Sequence, residues 1–145
     1  MAEGFFKDRL AQHPMLKTVV VSSAGTIAYD GNLPSADAVN EMYDRFVIDI
    51  SQYRAQSVSQ AIETDLILTM DRATTAEVEA LLTDVRVVML GDYAGTCEEV
   101  ADPYGGPRLG YRVAAEQIQR LVDAAVRRLE TETQADDPLP NGDGN

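Results

Sequence analysis

Short apolar runs alternate along the chain with longer segments of helical spacing. The runs lie at residues 18–21, 66–70 and 85–90, and each is bounded by polar or turn-forming residues. Runs of this length that are rich in Val, Ile and Leu are typical of strands buried on both faces of a parallel sheet. The pattern therefore predicts a buried strand at each of these places.

The remaining segments carry apolar side chains at intervals of three and four residues, which predicts amphipathic helices. The core-facing positions are Met1, Phe5, Phe6 and Leu10 in a first helix, Val39, Met42, Tyr43 and Phe46 in a second, Val78, Leu81 and Leu82 in a third, and Ile118, Leu121, Val122, Ala125 and Leu129 in a last helix over residues 109–129. Ser35 and Asp71 are residue types that cap helix N-termini. Strands that alternate with helices indicate the α/β class, with a parallel sheet covered on both faces.

Length and composition fit one domain followed by a polar tail. The chain has 145 residues, of which 45% are hydrophobic, and this suits a single core of ordinary size. Beyond residue 130 the sequence becomes acidic and rich in Thr, Pro, Gly and Asn, so it cannot bury enough surface to offset the entropy of ordering. We expect a domain over residues 1–130 and a disordered acidic tail over residues 131–145.

The charge balance argues against several classes of partner. Twelve basic and 24 acidic side chains give a net charge of −12, which repels nucleic acid and anionic lipid. No apolar run approaches the roughly 20 residues of a membrane-spanning helix, and the first residues do not form a signal peptide. We expect a cytoplasmic protein with no nucleic-acid or membrane partner.

The single cysteine, Cys97, cannot form an internal disulfide, and no Cys/His cluster indicates a zinc site.

Five short segments, in order along the chain, carry a recognisable pattern. They are the opening Met-Ala-Glu-Gly-Phe-Phe, Ser23-Ala24-Gly25-Thr26, Asp65-Leu66-Ile67-Leu68-Thr69-Met70-Asp71, Leu90-Gly91-Asp92-Tyr93 and Asp102-Pro103-Tyr104-Gly105-Gly106. Together they resemble the low-molecular-weight protein-tyrosine-phosphatases from Met1 to about Leu129. The resemblance implies a three-layer α/β sandwich with a parallel sheet, the phosphotyrosine protein phosphatase I fold. It also implies hydrolysis of phosphotyrosine proteins or small aryl phosphates through a phosphocysteine, without a metal or an organic cofactor.

The resemblance also assigns roles to individual residues. Asp102 matches the general acid of the family, which protonates the departing tyrosyl oxygen and then helps to activate water. Tyr104 and Tyr29 match aromatic walls around the substrate ring. Ser23 and Gly25 belong to a loop that supports the phosphate-binding loop. Two simpler interpretations stay open, because Asp-Pro-Tyr-Gly-Gly is also an ordinary turn sequence and exposed tyrosines need no function.

The nucleophile motif of the family, a Cys followed by five residues and Arg, does not occur in the 145 residues. In the family this motif and the strand before it directly precede the segment that matches Met1. The residue six positions after Cys97 is Pro103 rather than Arg, so we interpret Cys97 as an incidental loop residue. We therefore expect a fold without its first strand, no catalysis by the chain as given, and self-association through exposed strand edges.

Two other functions remain as alternatives. The first is a catalytically dead interaction module. The second is an arsenate reductase of the same fold coupled to thioredoxin, but that chemistry passes oxidation through additional cysteines and only Cys97 is present. We favour a phosphatase of the low-molecular-weight family that is inactive as given.

Overall fold

A computed structural model describes residues 1–27, 29–60 and 63–136 of the chain. Its elements are α1 (Ala2–Leu10), α2 (Ala36–Phe46), β1 (Leu66–Thr69), α3 (Arg72–Leu81), β2 (Arg86–Met89), α4 (Leu90–Tyr93) and α5 (Arg108–Asp136), with short 3-10 turns at Pro14–Leu16 and Val58–Gln60. Helices and strands alternate from α2 to α4. The alternation that the apolar pattern predicts is therefore confirmed.

Side-chain caps determine where α2 and α3 begin. The hydroxyl of Ser35 accepts a hydrogen bond from the backbone N–H of Ala38 at 3.3 Å. The carboxylate of Asp71 accepts one from the N–H of Thr74 at 2.7 Å. Each bond satisfies an N–H that would otherwise have no partner in the first turn of a helix. Both helix starts are thus dictated by local sequence.

The sheet of the described residues consists of β1 and β2, which pair in parallel with Leu66 opposite Arg86. A parallel pair needs a crossover connection, and α3 supplies it. The prediction of a strand over residues 18–21 is wrong. A strand requires a neighbour for its backbone hydrogen bonds, and this run has none in the described ranges. Val19 and Val21 nevertheless pack partly buried against the core, while Val20 is 92% exposed.

Helix α5 provides the largest buried face of the domain. Its core residues are Tyr111, Ala114, Ala115, Ile118, Leu121, Val122, Ala125 and Val126. They belong to one apolar cluster with Phe5 of α1 and Met42 of α2. The Phe5 ring also meets the Phe46 ring edge to face, with 4.9 Å between the ring centroids. The last helix predicted from apolar spacing is therefore the element on which α1 and α2 pack.

Helix α5 continues to Asp136, so the prediction of disorder is wrong for residues 131–136. The reason is a tertiary contact: the carboxylate of Glu132 accepts hydrogen bonds from the Tyr93 hydroxyl at 2.8 Å and from the Arg86 guanidinium at 3.2 Å. Composition does not reveal partners that lie 39 and 46 residues away. The rest of the predicted tail, residues 137–145, lies outside the described residues.

Although α5 has 29 residues, neither it nor another described helix is long and apolar enough to cross a membrane.

Candidate active site

The loop over residues 101–107 precedes α5 and carries Asp102 and Tyr104. The Asp102 carboxylate accepts a hydrogen bond from the backbone N–H of Tyr104 at 3.0 Å. The N–H of Gly106 donates to the carbonyl of Pro103 at 3.0 Å. Gly105 has a φ of 78°, a left-handed conformation that glycine adopts without strain. The Asp-Pro-Tyr-Gly-Gly sequence therefore forms a compact turn in which the Asp102 side chain and the Tyr104 ring are both exposed to solvent.

Backbone and side-chain hydrogen bonds fix the start of this loop. The N–H of Val100 donates to the carbonyl of Met70, at the end of β1, at 2.8 Å. The carbonyl of Glu99 accepts from the Gln117 amide of α5 at 3.0 Å, and the Glu99 carboxylate accepts from the N–H of Arg72 at 2.9 Å. The segment before Asp102 is therefore bound to β1, α3 and α5 together.

Glu98 connects this segment to α5, and its backbone lies close to α4. Its carboxylate accepts two hydrogen bonds from Arg120, at 2.7 and 2.9 Å, and these bonds lower the pKa of Glu98 to about 2. A Cβ atom at Gly91 would lie 1.9 Å from the carbonyl oxygen of Glu98, so a larger residue cannot occupy that position without moving the backbone. The glycine of Leu90-Gly91-Asp92-Tyr93 thus permits the approach of the loop segment to α4.

The end of the loop is bound to α2 through Arg108, the first residue of α5. The Arg108 guanidinium donates to the Asp44 carboxylate at 3.0 Å. Its Nε lies 3.6 Å from a carboxylate oxygen of Glu41, which is buried. Glu41 also accepts a hydrogen bond from Arg45 at 3.1 Å. Both ends of the loop are therefore connected to helices that pack in the core.

A groove of about 460 Å³ lies between the loop and the first turns of α5. Its lining includes Pro103, Tyr104, Leu109 and Val113, and Asp102 is the only carboxylate among the described residues that line it. The sequence reasoning missed Leu109 and Val113. They could have been found as an apolar pair four residues apart that falls outside the buried stripe of α5.

Ser23 and Gly25 lie in a second region, next to the start of α1. The Ser23 hydroxyl donates to the Glu3 carboxylate at 2.5 Å, and its carbonyl accepts from the Gln56 amide at 2.9 Å. Gly25 forms an isolated parallel bridge with Ser57. A smaller groove of about 170 Å³ is lined by Ser23 among others. The structure thus binds this loop to α1 and to the segment around residue 57.

The residues predicted for the site fall into separate groups in the structure. Asp102 and Tyr104 line the large groove, and Ser23 lines the small one. Tyr29 is exposed and lines neither of these two grooves in the part of the chain that the structure describes. The geometry therefore brings together the general-acid candidate and one aromatic residue.

Comparison with known proteins identifies the family. Residues 1–135 match the family described as low molecular weight phosphotyrosine protein phosphatase. The chain belongs to this family. A probable low molecular weight protein-tyrosine-phosphatase, EpsP, from Ralstonia nicotianae is 36% identical over 79% of each chain. A protein-arginine-phosphatase from Geobacillus stearothermophilus is 25% identical over 85% of each chain.

Solved structures of the family have the same fold. The low molecular weight protein tyrosine phosphatase from T. tengcongensis matches with a TM-score of 0.79 at 27% identity, over 88% of each chain. An arginine phosphatase from Geobacillus stearothermophilus matches with a TM-score of 0.82 at 23% identity, over 96% of this chain and 89% of that one. The predicted family and its α/β fold are confirmed by these similarities.

The Glu98–Arg120 pair generates a prediction about pH. The pKa of Glu98 should be about 2 in the folded protein, against an ordinary value of 4.5, because Arg120 stabilises the charged carboxylate. The pair then stabilises the fold above about pH 4.5, and this contribution is lost as the pH falls towards 2. A carbon-detected NMR titration of the Glu98 carboxyl group measures this pKa directly.

In the variant Arg120→Met, the pKa of Glu98 should return towards 4.5. Arg86→Met is the matched control, because it removes a different arginine–carboxylate pair, the one with Glu132. That control should leave the Glu98 titration where it is in the parent protein. An unchanged Glu98 pKa in Arg120→Met would show that the bidentate contact is not the cause.

Proposed function

We propose that this chain carries the leaving-group side of a phosphatase site, with Asp102 as the general acid. The observation that supports this most strongly is the isolated carboxylate of Asp102 in an apolar groove, on a turn that is bound to the core at both ends. A catalytic acid must be kept within reach of the atom that it protonates, and a fixed turn meets this need. The resemblance of the Asp102–Gly106 segment to the family motif supports the same role for this residue.

Asp102 would act twice in the reaction. In the first step a thiolate sulfur attacks phosphorus, the bond from phosphorus to the aryl oxygen breaks, and protonated Asp102 gives its proton to that oxygen. In the second step the Asp102 carboxylate takes a proton from water as the water oxygen attacks phosphorus and the sulfur–phosphorus bond breaks. Inorganic phosphate leaves, and both the thiolate and protonated Asp102 are regenerated.

Tyr104 would form a wall for the substrate ring, because its own ring is 79% exposed beside the groove and aromatic rings stack on one another. Two further roles rest on the family resemblance alone. Tyr29 would be a second wall, and Ser23 and Gly25 would support a phosphate-binding loop. The substrates that fit these residues are phosphotyrosine proteins and small aryl phosphates. Phosphoarginine is the competing substrate, since one relative is named as an arginine phosphatase.

The nucleophile is the element that this sequence does not provide. Formation of a phosphocysteine requires a thiolate and an arginine that binds the phosphoryl oxygens. The sole cysteine, Cys97, is followed six positions later by Pro103. We infer that the 145 residues do not hydrolyse phosphomonoesters unaided. A cytoplasmic location is part of the same proposal, because the complete reaction of the family depends on a cysteine that stays reduced.

The first functional prediction concerns turnover. The chain of 145 residues should hydrolyse neither p-nitrophenyl phosphate nor phosphotyrosine above a buffer blank. Adding a Val-rich strand and a Cys-x5-Arg-Ser-Pro loop before Met1 should restore hydrolysis. In that extended protein, Asp102→Asn should lower kcat on phosphotyrosine by about 10²- to 10⁴-fold, the usual contribution of a general acid.

The control for this prediction is Asp84→Asn, which removes a carboxylate from an exposed position outside the groove. It should leave kcat unchanged. Turnover by the unextended chain that depends on Asp102 would contradict the need for a Cys-x5-Arg loop. Indifference of the extended protein to Asp102→Asn would contradict the role of Asp102, and a preference for phosphoarginine would change the proposed substrate.

We also propose that the chain self-associates through the free edge of β1 and the run over residues 18–21. In the described ranges β1 pairs only with β2, and the Val20 side chain projects into solvent. An apolar strand edge without a partner readily pairs with another chain. This contact would join two copies of the protein without involving the groove beside Asp102.

Size-exclusion chromatography with light scattering tests this association. The parent chain should elute as a species larger than its 15.8 kDa monomer. Val20→Lys should shift it towards the monomer, because a charged side chain opposes edge pairing. Leu81→Lys is the control, since it changes an exposed apolar residue on α3. A monodisperse monomer that melts cooperatively above about 60 °C would contradict the proposal.

A further inference from the structure

Glu41 is a buried carboxylate that takes no part in the proposed chemistry. The residue is only 2% exposed, on the face of α2 that packs towards α5. Burial of a charge is unfavourable unless the charge is paired. Glu41 is paired twice: one oxygen accepts from Arg45 at 3.1 Å, and the other lies 3.6 Å from Nε of Arg108. Glu41 therefore binds two arginine side chains that come from different helices, α2 and α5.

Arg108 connects Glu41 to the loop that carries Asp102. It follows Pro107 directly and is the first residue of α5. Besides the contact with Glu41, its guanidinium donates to the Asp44 carboxylate at 3.0 Å. Two carboxylates of α2 therefore bind one side chain at the point where the loop ends. The other hydrogen bonds at this end that the structure describes are local, such as the bond from the N–H of Gly110 to the carbonyl of Pro107 at 2.9 Å.

We infer that Glu41 and Asp44 are positioning residues that fix the Asp102 loop through Arg108. Glu41 is the fixed partner of Arg108, because a buried and doubly paired carboxylate cannot move without losing its partners. Asp44 supplies the hydrogen bond that orients the guanidinium. The inference rests on the proposed function for what the loop does, but the mechanical connection can be tested without turnover.

The contacts of Arg108 affect the site through the distance between Asp102 and the opposite wall of the groove. Leu109 and Val113 follow Arg108 in the first turns of α5 and line the groove together with Asp102. If Arg108 is released, the first turn of α5 can fray and the width of the groove is no longer fixed. Neither Glu41 nor Asp44 lines this groove among the described residues, so both would act at a distance.

Hydrogen–deuterium exchange of the full chain, followed by mass spectrometry, tests the inference whether or not copies associate. Arg108→Met should accelerate exchange in peptides that cover residues 101–110 by about two- to fivefold, the effect expected when a half-exposed ion pair is removed. Peptides from α3 and β2 should be unchanged. Glu41→Gln, which keeps the shape of the side chain, should act in the same direction.

Two further variants separate positioning from a general loss of stability. Arg108→Lys keeps the positive charge and should restore part of the protection. Arg86→Met removes a similarly exposed arginine paired with Glu132 and should leave residues 101–110 as they are in the parent. Unchanged exchange of the loop in both Arg108→Met and Glu41→Gln would overturn the inference, and so would equal acceleration in every peptide.

The outcome is independent of the test of the proposed function. Faster exchange of the loop in Arg108→Met, together with an extended protein that is indifferent to Asp102→Asn, would keep the positioning contact and reject the general acid. The reverse pair of results would keep the general acid and reject the positioning contact.

Discussion

The buried face of α5 is the constraint on which both the fold and the candidate site depend. Its core residues lie in one apolar cluster with α1, α2 and α4, and removal of apolar surface from water is the main favourable contribution to folding. The same helix carries the groove at its first turns and the contact of Glu132 with Tyr93 towards its other end. Packing of one helix therefore sets the location of the loop that bears Asp102.

Charged contacts around that core connect the segments on either side of the Asp102 turn to α2 and α5, and they add directional contacts to the apolar packing. Arg120 binds Glu98 before the loop, and Arg108 binds Asp44 after it. Exposed ion pairs contribute little to stability one by one, but a bidentate pair restricts direction as well as distance. Arg120 and Glu98 form such a bidentate pair, whereas Arg108 and Asp44 share a single hydrogen bond. The two contacts connect the segments on either side of the Asp102 turn to α5 and α2, and we infer that their contribution is geometric.

The sequence was informative wherever the signal was local. The cap at Asp71, the buried stripe of α5 and the Asp102–Tyr104 turn each depend on residues within a few positions of one another. The failures involve partners far away in the chain. Residues 18–21 have the composition of a strand but no neighbour to pair with in the described ranges, and in the polar segment 131–136 Glu132 gains a hydrogen bond from Tyr93. The pairing of Arg108 with Asp44 spans 64 residues and has no sequence pattern of its own.

The central claim is that Asp102 gives a proton to the leaving group, and the dependence of rate on the leaving group tests it most directly. In a protein extended by a strand and a Cys-x5-Arg loop, kcat/KM is measured for aryl phosphates whose phenols differ in pKa. With Asp102 present, kcat/KM should depend only weakly on that pKa, because proton transfer neutralises the departing oxygen. In Asp102→Asn it should fall steeply as the phenol becomes less acidic. Equal slopes for the two proteins would contradict the account.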